Sequence, residues 1–394
     1  MPDLGSALEL VAAWAGRPVI PTPIKGGLSH HIVRVDTEAG DRWLLRVLDP
    51  RVSVAGLGIP LDLEIVNTVR AAQAGVGAKV LLRLPGAVLL EYIDGATLDA
   101  AAVRDPKMTE GIALACRRLH AGPRFATDFS IFRKLDELLS LCRGHALRIP
   151  EGYEDRLPAI AAIEAAMTAR PAPTVPCHND LLPENFIFDG SAVRIVDYQL
   201  SGNNDPAFEL GDIAAEADYD PEMAGRLTRA YFGDEDPAAR VRLYLLMSNF
   251  TWTLWFSVHH GLLAEHAAAA DFDYEAEAAD KYAQAVRDLD DPGFGRLLDD
   301  VRGGRRTAGG AVPPSAPPSA HPSPAPPPPT APSPAPSADP SPASSTAPPP
   351  APISEPSPGN TTGPSPAPST GPSSAPSTGP PHGNAPGGRD PRAG

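Results

Sequence analysis

A chain of 394 residues with a formal net charge of −15 has room for two or three domains and is too acidic for an ordinary basic nucleic-acid binder. The five Arg of residues 302–394, against two Asp and one Glu, make that segment +2, so the rest carries −17, a field that steers cationic substrates inward. Cys116, Cys142 and Cys177 are widely spaced with no C-x-x-C, and the start M-P-D-L-G-S has no basic region before an apolar stretch; both fit a cytoplasmic protein with reduced thiols rather than a disulfide framework, a zinc site or a secreted chain.

Ser6 to Ala15 carries apolar residues at helical spacing and predicts an opening helix. Pro18 to Thr22, the Lys25-Gly26-Gly27-Leu28-Ser29 turn, a strand with Ile32, Val33 and Val35, the Ala39-Gly40-Asp41 turn and a strand from Arg42 to Leu48 predict β-hairpins around glycines. Neither G-x-G-x-x-G nor G-x-x-x-x-G-K-[ST] occurs in this stretch, so a Rossmann or P-loop site has no support. A helix from Leu61 to Ala74 stops at Gly75, and Lys79 to Leu84 and Val88 to Ile93 return as strands. Thr109 to His120, Phe132 to Cys142 and Tyr153 to Ala169 predict three further helices.

Cys177 to Asp197 reads C-H-N-D-L-L-P-E-N-F-I-F-D-G-S-A-V-R-I-V-D. Two short strands joined at Asp189-Gly190 would bring Asn185 close to Asp197, with Asp180 one short loop away. A carboxylate, an amide oxygen and a second carboxylate at one point suit a hard cation such as Mg²⁺, the equipment of phosphoryl transfer. Beyond it, Phe208 to Glu216 begins a helix carrying Glu209, Asp212 and Glu216, while Asn203 and Asn204 read as loop polar groups. Helices follow over Pro221 to Phe232, Pro237 to Gly261 with a break expected, Tyr274 to Arg287, and the closing F-G-R-L-L-D-D-V. Leu243 to Val258 is apolar but short, and holds Ser248, Asn249, Thr251 and Thr253; it reads as a buried helix, not a membrane span. From Arg302 to Gly394 there is no Phe, Trp, Tyr, Leu or Met, and 30 of the 49 prolines lie here, so the segment is expected to be a disordered tail. Its P-x-x-P spacings would suit a weak partner, although so biased a composition produces them by chance.

H-N-D-L-L-P-E-N resembles the protein-kinase catalytic loop H-R-D-L-x-x-x-N, with the same distance from Asp to Asn. The V-D-Y-Q-L-S-G-N-N-D-P-A-F-E-L-G-D that follows is more similar to the metal-binding segment of the choline/ethanolamine kinase and aminoglycoside phosphotransferase superfamily. Asn179 in place of Arg, Tyr198-Gln199 in place of Phe-Gly, and the lack of A-P-E separate the chain from protein kinases. The resemblance implies an α+β, protein-kinase-like two-lobed fold, with a β-rich N-lobe over 1–93, a mostly helical C-lobe over 94–301 and the tail from 302. It implies ATP and Mg²⁺ as cofactors, Asp180 at the acceptor hydroxyl, and Asn185 and Asp197 as metal ligands. Arg46 would face the phosphates with Glu64 as its ion-pair partner, and the main chain of Glu91 to Ile93 would meet the adenine. His178 would brace the loop, and Asp205 with Glu209 or Asp212 would tie the next helix to it.

T-W-T-L-W sets Trp252 and Trp255 on one helix face, where a tryptophan pair is usually core. Choline kinases resemble this chain in such a W-x-x-W pair, part of an aromatic cage for a trimethylammonium group, with Glu216 and Tyr274 matching further members. Leu200 and Glu277 stand where that family commonly has Tyr. The expected acceptor is therefore the hydroxyl of a small cationic amino alcohol of the choline or ethanolamine type, with no nucleic-acid or membrane partner. The alternatives are an aminoglycoside or other antibiotic phosphotransferase, or a non-catalytic nucleotide-binding module.

Overall fold

The computed structural model describes residues 3–24, 29–263 and 272–303. The expected glycine turn at 25–28 and most of the proline-rich tail lie outside the described residues. Asp3 caps α1 (Leu4–Ala15) by accepting from Ser6 N at 2.7 Å, and Gly16, at φ 65°, ends it in the left-handed conformation glycine tolerates. An antiparallel sheet follows in the order β1-β2-β3-β5-β4, built from β1 (Ile20–Pro23), β2 (His31–Asp36), β3 (Arg42–Val47), β4 (Val80–Leu84) and β5 (Ala87–Glu91).

Strand alternation decides what each face buries. Val33, Val35, Leu45, Val47, Ala87 and Leu89 pack with Ala7 and Val11 of α1. On the other face Leu48, Val88 and Leu90 pack with Ile65 of α3 (Leu61–Gln73). Arg46 lies between Leu45 and Val47, opposite Ile32 and Val88, so the period of two turns it toward α3. The short α2 (Pro50–Val54), capped by Asp49 and opened by a proline, was not expected from the sequence.

The larger part is helical: α4 (Ala100–Arg104), α5 (Pro106–His120), α6 (Ile131–Gly144), α7 (Leu157–Ala169), α8 (Pro206–Glu216), α9 (Pro221–Phe232), α10 (Ala238–Leu263), α11 (Tyr274–Leu289) and α12 (Phe294–Gly303). Two small sheets are set among them. β6 (Ala96–Thr97) pairs with β8 (Phe186–Phe188), β8 with β9 (Val193–Ile195), and β7 (Val175–Cys177) with β10 (Gly202–Asn204). The expected Asp189-Gly190 hairpin is present, with a four-residue loop in which Asp189 Oδ1 accepts from Ser191 N and Ala192 N.

The expected break in α10 does not occur: one helix of 26 residues runs through the core with Ser248, Asn249, Thr251 and Thr253 buried. Thr253 returns its hydroxyl to Asn249 O and Ser257 to Thr253 O, so these groups bond within the helix rather than interrupting it. No helix among the described residues is long and apolar enough to cross a membrane. α8 crosses α10 closely at Gly211, where a Cβ would lie 2.7 Å from Val241 O and from Leu245 N. α12 runs to Gly303, two residues into the stretch assigned to the tail from composition.

Candidate active site

The loop after β7 is shaped by backbone hydrogen bonds to buried acids on α8. Glu209, 0% exposed, accepts from His178 N at 2.7 Å and Asn179 N at 2.8 Å. Asp212, also 0% exposed, accepts from Leu181 N at 2.7 Å, so Asp180 is suspended between two tethered neighbours. Asn179 adopts φ 67°, a region costly for most side chains but tolerated by Asn. Its amide reaches the carbonyls of Cys177, Leu200 and Gly202, which accounts for Asn where protein kinases carry Arg.

His178 is fully buried; Nε2 faces Val196 O at 2.8 Å and the ring packs on Tyr198 at 5.0 Å between centroids. Burial pushes its pKa down, so the ring is neutral and donates to that carbonyl. It thereby holds the residue before Asp197, the brace expected of it. Val196 N donates to Asn185 O at 3.0 Å, closing the loop onto the hairpin. Asn185 Nδ2 donates to Asp180 O at 2.8 Å, which leaves its amide oxygen as the free end.

Arg46 is buried between two carboxylates, with Nη1 2.8 Å from Glu64 Oε1 and Nη2 2.6 Å from Asp197 Oδ1. The pair expected with Glu64 is thus present, and Asp197 joins it. Burial alone would raise the Asp197 carboxyl, but the Arg46 guanidinium outweighs it and holds Asp197 below the usual range. His30, which sequence reading passed over, stands behind: Nδ1 accepts from Asp49 N at 3.0 Å and Nε2 lies 3.8 Å from Glu64 Oε2.

Asp180, Asn185 and Asp197 line one cleft of about 450 Å³, shared with Glu216, Trp252, Trp255 and Glu277. Asp180 sits among Asp212, Glu216 and Asp197; burial first, then these charges, push its carboxyl well above the ordinary value, with Lys281 opposing. The two tryptophans differ. Trp252 is buried and donates Nε1–H to Asp212 Oδ1 at 3.0 Å, whereas Trp255 is partly exposed and reaches Leu57 O at 3.4 Å. Tyr274 is not brought to this cleft: it stacks on His259, at 4.6 Å between centroids, and lines a neighbouring cavity. Phe272 and Phe256 take the cleft wall instead. Glu91 and Ile93 stand at the exit of β5 and do not line this cleft; Glu91 N donates to Lys79 O at 2.8 Å, and Ile93 packs with Leu48 and Ile65.

Several positions carry more than their residue type announced. Gln199 clasps Leu57 O at 2.8 Å and Ser29 Oγ at 3.2 Å. Asn203 and Asn204, read as loop groups, form buried β10: Asn203 bonds the main chain of Phe125 and Thr127, and Asn204 donates to Asn179 Oδ1. Asp205 caps α8 and accepts from Arg240 and Tyr244, the structural part expected of it. Lys281, missed altogether, pairs with Glu216 at 2.8 Å. The one signal for it was a lone lysine at i+4 from Glu277.

Asp212 gives a pH-dependent stability. Burial, aided by Glu216, pushes its carboxyl up to about 7 despite donors from Trp252, Ser248 and Leu181. A carboxyl raised on folding binds its proton more tightly in the native state. Its stabilising contribution is therefore full below about pH 4 and lost as pH rises through about 7. Between pH 5 and 7 the wild-type protein is expected to lose about 2 kcal/mol from this group, and Asp212→Asn to show a flatter profile. Melting temperatures across that range check it; parallel profiles would refute it.

The family model described as "Phosphotransferase enzyme family" matches residues 21–244. Protein LicA of Haemophilus influenzae is 28% identical over 262 residues, 61% of this chain and 75% of that protein. The crystal structure of a choline/ethanolamine kinase family protein from Mesorhizobium loti is similar at 30% identity and TM-score 0.63, covering 76% of this chain and 97% of that one. A structure of LicA in complex with AMP shares the fold, with TM-score 0.58 and 19% identity over 72% of this chain and 96% of that one.

Proposed function

The chain belongs to the phosphotransferase enzyme family, and from that premise we propose that it is an ATP- and Mg²⁺-dependent kinase phosphorylating the hydroxyl of a small cationic amino alcohol of the choline or ethanolamine type. Choline and ethanolamine kinases, phosphotransferases acting on an alcohol, are among its relatives. The observation that carries the finer reading is one cleft joining Asp180, Asn185 and Asp197 to an aromatic and acidic wall.

Asp180 takes up or orients the hydroxyl proton of the acceptor, and a carboxyl pushed well above its ordinary value is a stronger base than a solvated one. The carboxylate of Asp197 and the free amide oxygen of Asn185 are hard oxygen donors that fit Mg²⁺. When bound, Mg²⁺ supplies neutralisation of phosphate charge. Arg46 offers its guanidinium to the phosphates from the sheet side, with Glu64 keeping it aimed. AMP in a structural neighbour supports a nucleotide donor on this fold.

Trp255 favours an amino alcohol over an aminoglycoside, because a cation beside an indole face is stabilised without hydrogen bonds. The test is ADP release from MgATP against choline, ethanolamine, other amino alcohols and kanamycin. An amino alcohol is expected to turn over, and Trp255→Ala to raise its KM by about tenfold, the worth of one cation–π contact. Turnover of kanamycin alone would sink the acceptor assignment, and ATP binding with no turnover would favour a binding module.

A further inference from the structure

Resting on that reading, we propose that Glu277 is the specificity-determining residue for the acceptor's ammonium group, favouring one that carries N–H over a quaternary one. Beside Asp180, Glu184 and Asp197, the cleft is lined by one acid from α8, Glu216, and one from α11, Glu277, and the structure separates the roles of these two. Glu216 is already paired: Lys281 Nζ lies 2.8 Å away, and the two side chains are 8% and 4% exposed. Burial would lower the Lys281 ammonium, but Glu216 outweighs it and keeps it charged. An internal ammonium thus neutralises the acid that a bound cation would otherwise meet, and removing either partner would leave a buried uncompensated charge.

Glu277 lies one turn before Lys281 on α11, partly exposed at the cleft, and no described residue donates a hydrogen bond to its carboxylate. Burial pushes this carboxyl up, with Lys281 opposing and Glu216 and Asp280 adding. A half-buried carboxylate with no protein donor gains from an N–H donor. The walls around it agree. Trp255, Phe256 and Phe272 provide aromatic faces, but the position of Leu200 is aliphatic and that of Glu277 is an acceptor. A trimethylammonium group needs faces on every side and presents no donor, so against this wall it places a methyl where the carboxylate wants a proton. A primary ammonium satisfies Glu277 with a charge-assisted hydrogen bond and still uses the aromatic faces. A site built to bond an N–H discriminates against the analogue lacking it because its polar group is left unpaired.

The experiment is kcat and KM of the full-length protein for ethanolamine and choline at saturating MgATP, in wild type, Glu277→Gln and Glu277→Tyr. Wild-type kcat/KM is expected to favour ethanolamine by about tenfold to a hundredfold, the range of one hydrogen bond to a charged group. Glu277→Gln should lower that ratio by about tenfold through KM for ethanolamine, with kcat and melting temperature little changed, and Glu277→Tyr should move it further toward choline. A wild-type ratio near one or favouring choline overturns the inference alone, as does a ratio unchanged in Glu277→Gln. Turnover of neither amino alcohol overturns the proposed function and this inference with it.

Discussion

Asp180→Asn is expected to lower kcat by about 10²- to 10⁴-fold, the range that a positioned general base contributes. The substitution keeps shape and removes only the capacity to take a proton. It also removes one charge from a crowd of acids, since Asp212, Glu216 and Asp197 all push the Asp180 carboxyl upward. Stability should therefore hold or rise while activity falls, an opposition that a merely misfolded variant cannot produce. Its backbone is unaffected: Asp180 O accepts from Asn185, and Leu181 N remains on Asp212. Steady-state kinetics, a melt and a nucleotide titration together check the result. A kcat within tenfold of wild type, with an unchanged melt, would remove Asp180 from the reaction.

Glu209→Ala carries the largest expected loss of stability. Its carboxylate is the acceptor for His178 N and Asn179 N, with His120 Nε2 3.4 Å away. Deleting it strands two buried N–H groups at about 1–3 kcal/mol each, so roughly 2–6 kcal/mol of unfolding free energy should go. Glu209→Gln should cost less, because one oxygen acceptor remains. Burial pushes the Glu209 carboxyl up, but the hydrogen bond from His120 and neighbouring charges hold it below 4.5 in the folded protein. This contribution is accordingly full above about pH 4.5 and lost as pH falls through the lowered value, opposite in sign to Asp212. Urea unfolding at pH 7 gives the number; a loss under about 1 kcal/mol would mean the loop is held by something else.

Elements with strong local signals could be read without the fold. The hairpin around Asp189-Gly190 and the helices over residues 61–73, 106–120 and 221–232 follow from turn chemistry and periodicity, which act over a few residues. Errors fell where a polar residue had two possible environments. Asn203 and Asn204 look like loop residues because Asn favours turns, yet β7 lies alongside and their amides replace the main-chain partners a loop would find in water. In α10, where a break was expected, the hydroxyls of Thr253 and Ser257 return to the helix's own carbonyls.

The sequence by itself determined that Asp180, Asn185 and Asp197 meet in one cleft, because they lie within 18 consecutive residues whose spacing a hairpin converts directly into proximity. It also determined which acids belong to the helix after them, since Asp205, Glu209 and Asp212 fall at fixed positions along α8. Only the tertiary structure decided which acid of the cleft is already neutralised. Glu216 and Lys281 are 65 positions apart on helices that both pack against α10, and no local pattern encodes that meeting. It likewise divided the tryptophans, giving Trp252 to Asp212 and Trp255 to the cleft wall, because the close crossing of α8 and α10 at Gly211 sets which indole reaches the buried acid. Spacing along a chain constrains neighbours strongly, whereas long-range packing decides which of two similar side chains meets water.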